Sequence, residues 1–286
     1  MQKLNLSLKP ISIVLLILGA CLLTGAAIVS QIRPFIFANN DKVPTLVLTE
    51  RNTLSFNQEV NDESVGQLQS RLMAMSQNLA VNDPIILVLY TPGGSVTAGL
   101  DLINTIHAIP QKVTTLTLFS ASMGFHIVQN SGLRLITANG VMMSHRASGG
   151  HDGQLNGSFE SRYKNIMRVL MGLDQVAANR MKIKLEAYEI LIKDEYWATG
   201  ADAVYDKAAD QVVNVYCDET LKGTYEEDIH TSFGPATVTF SKCPIIVAPL
   251  GYENKTNYTK EYKEKLNSYL DTYYRNMPAF LQGYKY

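Results

Sequence analysis

The sequence predicts an α/β domain built on a mostly parallel sheet, and two observations carry this prediction. Strand-like and helix-like segments alternate through the first half of the chain, which favours parallel strands joined by right-handed helical crossovers. One of these segments, Ile85–Tyr90, consists of six consecutive apolar residues, as is typical of a strand buried on both faces. We expect this domain to span residues 32–213.

The elements follow in order along the chain. Short apolar runs predict strands at Val43–Leu48, Ile85–Tyr90, Val113–Phe119, Leu133–Ala138 and Val141–Ser144. Apolar residues at helical spacing, with start and stop signals such as Asp62 and Asp83-Pro84, predict helices at Asp62–Leu79, Ser95–Ile109, Ser122–Asn130 and about Gly157–Lys193. The last helix is expected to break near Gly172-Leu173-Asp174.

Two smaller parts are expected after this domain. Residues 214–250 are predicted to be a β appendage, because Val212–Tyr216 and Ala236–Phe240 alternate like the strands of a hairpin. Cys217 and Cys243 lie beside these runs, and in an oxidising compartment they could form a disulfide worth on the order of 3 kcal/mol. The alternative, two unrelated buried thiols, is less favoured, because a disulfide agrees with the orientation predicted from Lys3 and Lys9. Residues 251–286 form a tail with helical character.

The N-terminal residues 1–31 contain a long apolar segment, Ile11–Val29, without a charge. A helix of this length spans roughly 29 Å, close to the hydrocarbon thickness of a bilayer, so we expect a transmembrane anchor. Because Lys3 and Lys9 precede the segment, the positive-inside rule predicts a single-pass protein whose folded domain lies on the extracytoplasmic, periplasmic side. The alternatives are a signal peptide cleaved near Gly25-Ala26-Ala27 and a lipobox at Cys21.

Composition and motifs exclude several classes of function. The formal net charge is -1 and no polybasic run is present, so we expect no nucleic-acid partner. The sequence contains no HExxH, no CxxC and no nucleotide-binding glycine fingerprint after its first strand. We therefore expect neither a metal nor an organic cofactor.

Three short stretches carry residues suited to catalysis. Gly93 and Gly94 follow a buried strand and open a helix, where bare amide N–H groups can bind an oxyanion. Ser122 lies between a strand and a helix, flanked by small residues, at the sheet edge where α/β folds place their sites. His145 ends the strand that follows. Taken singly, each has an ordinary structural explanation, for example a helix cap for the serine.

Together the stretches resemble the motifs of Clp proteases of the ClpP type. Pro92-Gly93-Gly94-Ser95-Val96-Thr97-Ala98-Gly99 resembles that family's glycine loop, and Ala121-Ser122-Met123-Gly124 its nucleophile segment. Met142-Met143-Ser144-His145, followed by Gly149-Gly150 and Gln154, resembles its histidine segment. The resemblance extends from about Val43 to Val213 and leaves out the N-terminal segment, the appendage and the tail.

This resemblance implies a crotonase-like fold and a serine endopeptidase with a Ser-His-Asp triad. Ser122 would be the nucleophile and His145 the base, with the glycine loop (Gly93, Gly94) and Met123 supplying the oxyanion hole. The stretch that follows the family's acid resembles Thr199–Ala203, which puts Glu195 at the acid's position without a gap, whereas Asp194 has the usual residue type. Both carboxylates remain candidates.

Other hypotheses share the same segments. Lys164 could replace His145 as base in a Ser-Lys dyad like that of signal peptide peptidase A, provided that burial lowers its pKa. A CoA-dependent hydratase of the same fold and a non-catalytic scaffold are the remaining alternatives. The family resemblance implies a homo-oligomer acting on peptides or unfolded proteins. A Clp-type ATPase partner is not expected outside the membrane, where no ATP pool exists.

Overall fold

The structure, a computed structural model, describes residues 43–149, 158–231 and 234–254, together with scattered residues between 260 and 268. The apolar segment Ile11–Val29 and most of the expected helical tail lie outside the described residues. Among the residues that are described, no helix is both long enough and apolar enough to cross a bilayer.

A seven-stranded sheet forms the centre of the described chain, in the order β1-β7-β5-β4-β3-β2, with β6 paired to β5. Its strands are β1 Thr45–Leu48, β2 Thr53–Phe56, β3 Ile85–Thr91, β4 Val113–Ala121, β5 Leu133–Ser144, β6 Tyr196–Thr199 and β7 Gln211–Cys217. All pairings are parallel except the antiparallel pair of β5 and β6. The predicted α/β fold with a mostly parallel sheet is therefore confirmed.

Helices connect and cover these strands. They are α1 Asp62–Asn78, α2 Val96–Ala108, α3 Met123–Gln129, α4 Ser158–Met181, α5 Leu185–Leu191 and α6 Gly200–Tyr205. Alternate residues of β3 enter different cores: Leu87 belongs to the large core shared with the helices, and Val88 to a smaller core. This explains the unbroken apolar run in β3, because both of its faces are buried.

Two predictions about local structure were wrong. Leu133–Ala138 and Val141–Ser144 belong to one strand, β5, which continues through Asn139-Gly140 beside a register shift in β4. Helix α4 runs through Gly172 without a break, because Leu173 and Ala177 are buried in the core and offset the roughly 1 kcal/mol helix penalty of one glycine. The chain turns instead after Met181, where Lys182 has φ 59°.

The C-terminal strands also differ from expectation. The predicted appendage strand Val212–Tyr216 is part of β7, which pairs with β1 and β5 in the central sheet. A separate antiparallel sheet consists of β8 Thr224–Thr231, β9 Gly234–Ser241 and β10 Gly251–Asn254. Periodicity showed that β7 was a strand but gave no indication of its partners.

A disulfide joins the two sheets. Cys217, the last residue of β7, is bonded to Cys243, which follows β9. Between them, Leu221 lies in a short 3-10 turn and packs into the smaller core against the central sheet. The disulfide therefore links the end of β7 covalently to the segment that follows β9.

Candidate active site

Ser122 occupies a sharp turn between β4 and α3. Its backbone has φ 54° and ψ −118°, a conformation that costs a non-glycine residue on the order of 1–3 kcal/mol. The Ser122 N–H donates to the carbonyl oxygen of Met143 at 2.9 Å, which ties the turn to β5. Although Ser122 is at the N-cap position of α3, its hydroxyl makes no capping hydrogen bond. The hydroxyl is therefore available for another partner.

That partner is His145, whose Nε2 lies 2.8 Å from the Oγ of Ser122. The two residues meet because β4 and β5 are adjacent and parallel, with Ala121 opposite Met143, so both chains leave the sheet at the same edge. Just before His145, the Ser144 and Tyr188 hydroxyls lie 2.7 Å apart and link the end of β5 to α5. A serine and an imidazole at this distance can exchange a proton.

The glycine loop lies against the serine turn. Gly93 has φ 89° and Gly94 has φ 142°, both in the region that favours glycine. Val60 holds the loop, since its N–H donates to the Gly93 carbonyl at 2.8 Å and its carbonyl accepts from the Ser95 N–H at 2.7 Å. This arrangement fixes the amides of the loop before any ligand binds.

Two of the three expected oxyanion donors are available. The Gly93 N–H donates within the loop, to Thr91 Oγ1 at 3.2 Å. Within the described ranges, the N–H groups of Gly94 and Met123 have no hydrogen-bond acceptor. Donors held ready in this way stabilise negative charge that develops on a carbonyl oxygen.

The two expected acids lie on the turn before β6, whose first residue, Tyr196, is paired with Ser144, the neighbour of His145. Asp194 and Glu195 are both exposed, on the turn before β6. Glu195 has φ 66°, and its carboxylate accepts a hydrogen bond from Trp197 Nε1 at 3.0 Å. In the described part of the chain, neither carboxylate hydrogen-bonds to His145. Matching the motifs in the sequence does not reveal where the side chains of this turn point.

A buried histidine on α3, the helix that follows Ser122, is paired with a carboxylate on α4. His126 is buried on α3, and its Nε2 is 3.9 Å from Oδ1 of Asp174 on α4. Burial, with a smaller contribution from the neighbouring His145, lowers the pKa of His126 to about 4. Burial and Glu189 raise the pKa of Asp174 to about 6, against an opposing effect of Arg146. Nothing in the sequence indicated Asp174.

Lys164 is not placed to act as a base. Its side chain is 64% exposed and pairs with Glu160 at 2.6 Å, one turn earlier on α4. It therefore lacks the burial that a lysine base requires. Among the described residues, no cluster of three or more His, Cys, Asp or Glu side chains forms that could hold a metal ion.

A serine–histidine pair at the carboxyl edge of a parallel sheet, beside bare amide donors, is the arrangement of a serine hydrolase. A family model described as Clp protease matches residues 39–215. This match covers more than half of the 286 residues, so the chain belongs to the Clp protease family, which implies a serine peptidase. The second sheet and the N-terminal segment lie almost entirely outside the matched residues.

Proposed function

We propose that this chain is a serine endopeptidase that hydrolyses peptides or unfolded proteins through Ser122 and His145. The 2.8 Å contact between Ser122 Oγ and His145 Nε2 is the observation that carries the proposal. The strained turn at Ser122 adds support, because such conformations are maintained at functional sites by the structure around them.

The reaction follows from this geometry. His145 Nε2 takes the hydroxyl proton as Ser122 Oγ attacks the substrate carbonyl carbon, giving a tetrahedral intermediate. The N–H groups of Gly94 and Met123 donate to its oxyanion, and each such donor is worth about 10²–10³ in rate. His145 returns the proton to the leaving amine, and a water molecule then hydrolyses the acyl-enzyme by the same steps.

The acid of the proposed triad is Asp194 or Glu195. Both side chains are exposed on a turn next to β6, which pairs directly with the end of β5 that precedes His145. A change in that turn, for example on assembly, is needed to bring either carboxylate to His145. Before that change, Ser122 and His145 act without a carboxylate bound to His145.

We further propose that the protein is anchored by residues 1–31 with its peptidase domain outside the cytoplasm. The Cys217–Cys243 disulfide supports this placement, since such bonds persist mainly in oxidising compartments. A homo-oligomer is part of the proposal, with no ATPase partner. Its support is a row of exposed apolar side chains at four-residue spacing on α4: Phe159, Tyr163, Met167 and Met171.

A fluorophosphonate probe tests the peptidase proposal on the full-length protein in detergent. We expect covalent labelling of the parent protein and none of the Ser122→Ala variant. Ser120→Ala is the matched control, because Ser120 is two residues away but its hydroxyl is fully buried. Labelling that persists in Ser122→Ala would place the nucleophile elsewhere. A folded parent protein that reacts with neither the probe nor peptide substrates would favour a non-catalytic scaffold.

A further inference from the structure

His145 Nε2 faces Ser122, and no described residue hydrogen-bonds to the other ring nitrogen of His145, Nδ1. In a serine peptidase the imidazole becomes positively charged when it takes the serine proton, and nearby negative charge stabilises that state. The expected acids do not supply it in this structure.

His126 and Asp174 form a pair, and His126 lies near enough to His145 for that imidazole to contribute to its lowered pKa. His126 is 8% exposed and lies one helical turn after Ser122, while the Asp174 side chain is 22% exposed. The 3.9 Å separation of His126 Nε2 and Asp174 Oδ1 is longer than a hydrogen bond but within ion-pair range. His126 Nδ1 is buried and has no described hydrogen-bond partner. Both residues are thus held in a place where charge is weakly screened.

The charge of the pair at neutral pH follows from its surroundings. With a pKa near 4, the His126 imidazole is neutral, and with a pKa near 6, Asp174 is mostly ionised. The other groups that face the pair are Arg146, the residue after His145, together with Glu189 and Tyr188 of α5. The His126–Asp174 pair itself therefore carries about one negative charge.

We propose that Asp174, acting across His126, is a positioning residue that stabilises the charged form of His145 during attack by Ser122. This inference rests on the proposed peptidase function and adds a carboxylate to it. The proton of Ser122 moves to His145 Nε2 and no further. Asp174 stays ionised and His126 stays neutral throughout, so no second proton transfer is required. In a poorly solvated site, the electrostatic effect of an ionised carboxylate extends beyond the side chain in contact with it.

The test is the rate of fluorophosphonate labelling as a function of pH, measured on the full-length protein. For Asp174→Asn we expect labelling at least about tenfold slower and a profile whose midpoint moves to lower pH, since a charge that favours the imidazolium is gone. His126→Gln keeps the carboxylate but removes the imidazole through which it is proposed to act on His145, and we expect a shift in the same direction. A loss of folding alone would not move the midpoint.

Glu160→Gln is the matched control, an acid-to-amide change at an exposed position of the same helix, and should keep the parent profile. The proposal is overturned if Asp174→Asn and His126→Gln both keep the parent midpoint and rate. It is also overturned if Asp194→Asn or Glu195→Gln produces the shift in their place. Absence of labelling in the parent protein is a different result, because it contradicts the peptidase function itself.

Discussion

Gly93 and Ser122 touch so closely that a Cβ added to Gly93 would lie 2.7 Å from the Cβ of Ser122 and 2.5 Å from the carbonyl oxygen of Ala121. Both neighbours belong to the strained serine turn, so neither can move without disturbing the nucleophile. The contact also brings the loop against the Met123 N–H, which would be 2.7 Å from the same added atom. The serine turn can thus adopt its position only because residue 93, in the glycine loop, has no side chain.

Replacing Gly93 by Ala should therefore reduce fluorophosphonate labelling by about 10²-fold or more, a loss comparable to that of an oxyanion donor. The positive φ of Gly93 adds strain to the steric conflict. Gly172→Ala is the control, since a Cβ at Gly172 meets nothing within 4 Å. We expect that variant to label normally and to be more stable by about 0.5–1 kcal/mol. Normal labelling of Gly93→Ala would show that the loop is not part of the site.

Removing the His145 imidazole should lower labelling by about 10²–10⁴, the usual contribution of a general base. The comparison is His145→Ala against His107→Ala, measured with the same probe at neutral pH. His107 is exposed on α2, where Nε2 lies 2.9 Å from the Asn130 carbonyl oxygen, far from the chemistry proposed here. Equal labelling of the two variants would contradict the assignment of His145 as base.

Asp210→Asn should destabilise the fold by about 3 kcal/mol, because it removes the negative charge that faces the buried guanidinium of Arg134. The Arg134 side chain is 4% exposed, and the Asp210 carboxylate accepts from its guanidinium and its backbone N–H. Burial alone would raise the pKa of Asp210, but the hydrogen bonds from Arg134 lower it. Urea denaturation measures the change.

The surface pair Arg51–Asp83 provides the contrast. Its side chains are 70% and 39% exposed, so Asp83→Asn should change the unfolding free energy by less than about 1 kcal/mol. Equal effects of the two substitutions would mean that the Arg134 pair contributes no more than a solvated one.

The His126–Asp174 pair should leave a signature in stability at acid pH. His126 has a lowered pKa, so its contribution to stability is present above pH 6.5 and is lost as the pH falls towards 4. Asp174 has a raised pKa, so its contribution is present below its ordinary value of 3.8 and is lost as the pH rises through 6. Between about pH 4 and pH 6 the two effects oppose each other.

In Asp174→Asn only the effect of His126 remains. We expect its unfolding free energy to fall more steeply than that of the parent protein as the pH decreases from 6 to 4. The difference in slope is at most about 1.4 kcal/mol per pH unit and smaller in practice, because Asp174 is partly solvated. Urea titrations followed by the fluorescence of Trp197, the single tryptophan, provide the measurement. Parallel pH curves for parent and variant would contradict the raised pKa of Asp174.

Loss of the disulfide should destabilise the protein by on the order of 3 kcal/mol, given its sequence separation of 26. The Cys217→Ser/Cys243→Ser double variant should unfold at lower urea concentration than the parent protein, and a reductant should remove the difference. Cys21→Ser, which leaves the disulfide intact, is the control. A double variant as stable as the parent would show that the second sheet is held by packing alone.

The sequence predicted much of this architecture because its elements are specified locally. Strands and turns are specified by neighbouring residues, so the runs around Ser122 and His145 predicted two strand ends, and parallel pairing then brought those ends together. Strands β2 and β6 were missed because each has four residues and too short a pattern to recognise.

The remaining differences come from contacts between distant segments. Asp174 is 48 positions from His126 in the sequence, and nothing local indicates that α4 brings it beside α3. The direction of the Asp194 and Glu195 side chains depends on the left-handed turn at Glu195, which a list of motifs does not encode. Local sequence patterns therefore predicted the contact between Ser122 and His145 but not the positions of the carboxylates around it.

The bond between Cys217 and Cys243 encloses β8 and β9 in a closed covalent ring. A single cut inside that ring, whether by another protease or by a neighbouring copy of the same enzyme, opens a loop but releases no fragment. Such a nicked molecule keeps its full mass on a non-reducing gel and separates into two pieces only after reduction. Self-cleavage in this region would therefore escape notice in any preparation that was not reduced first.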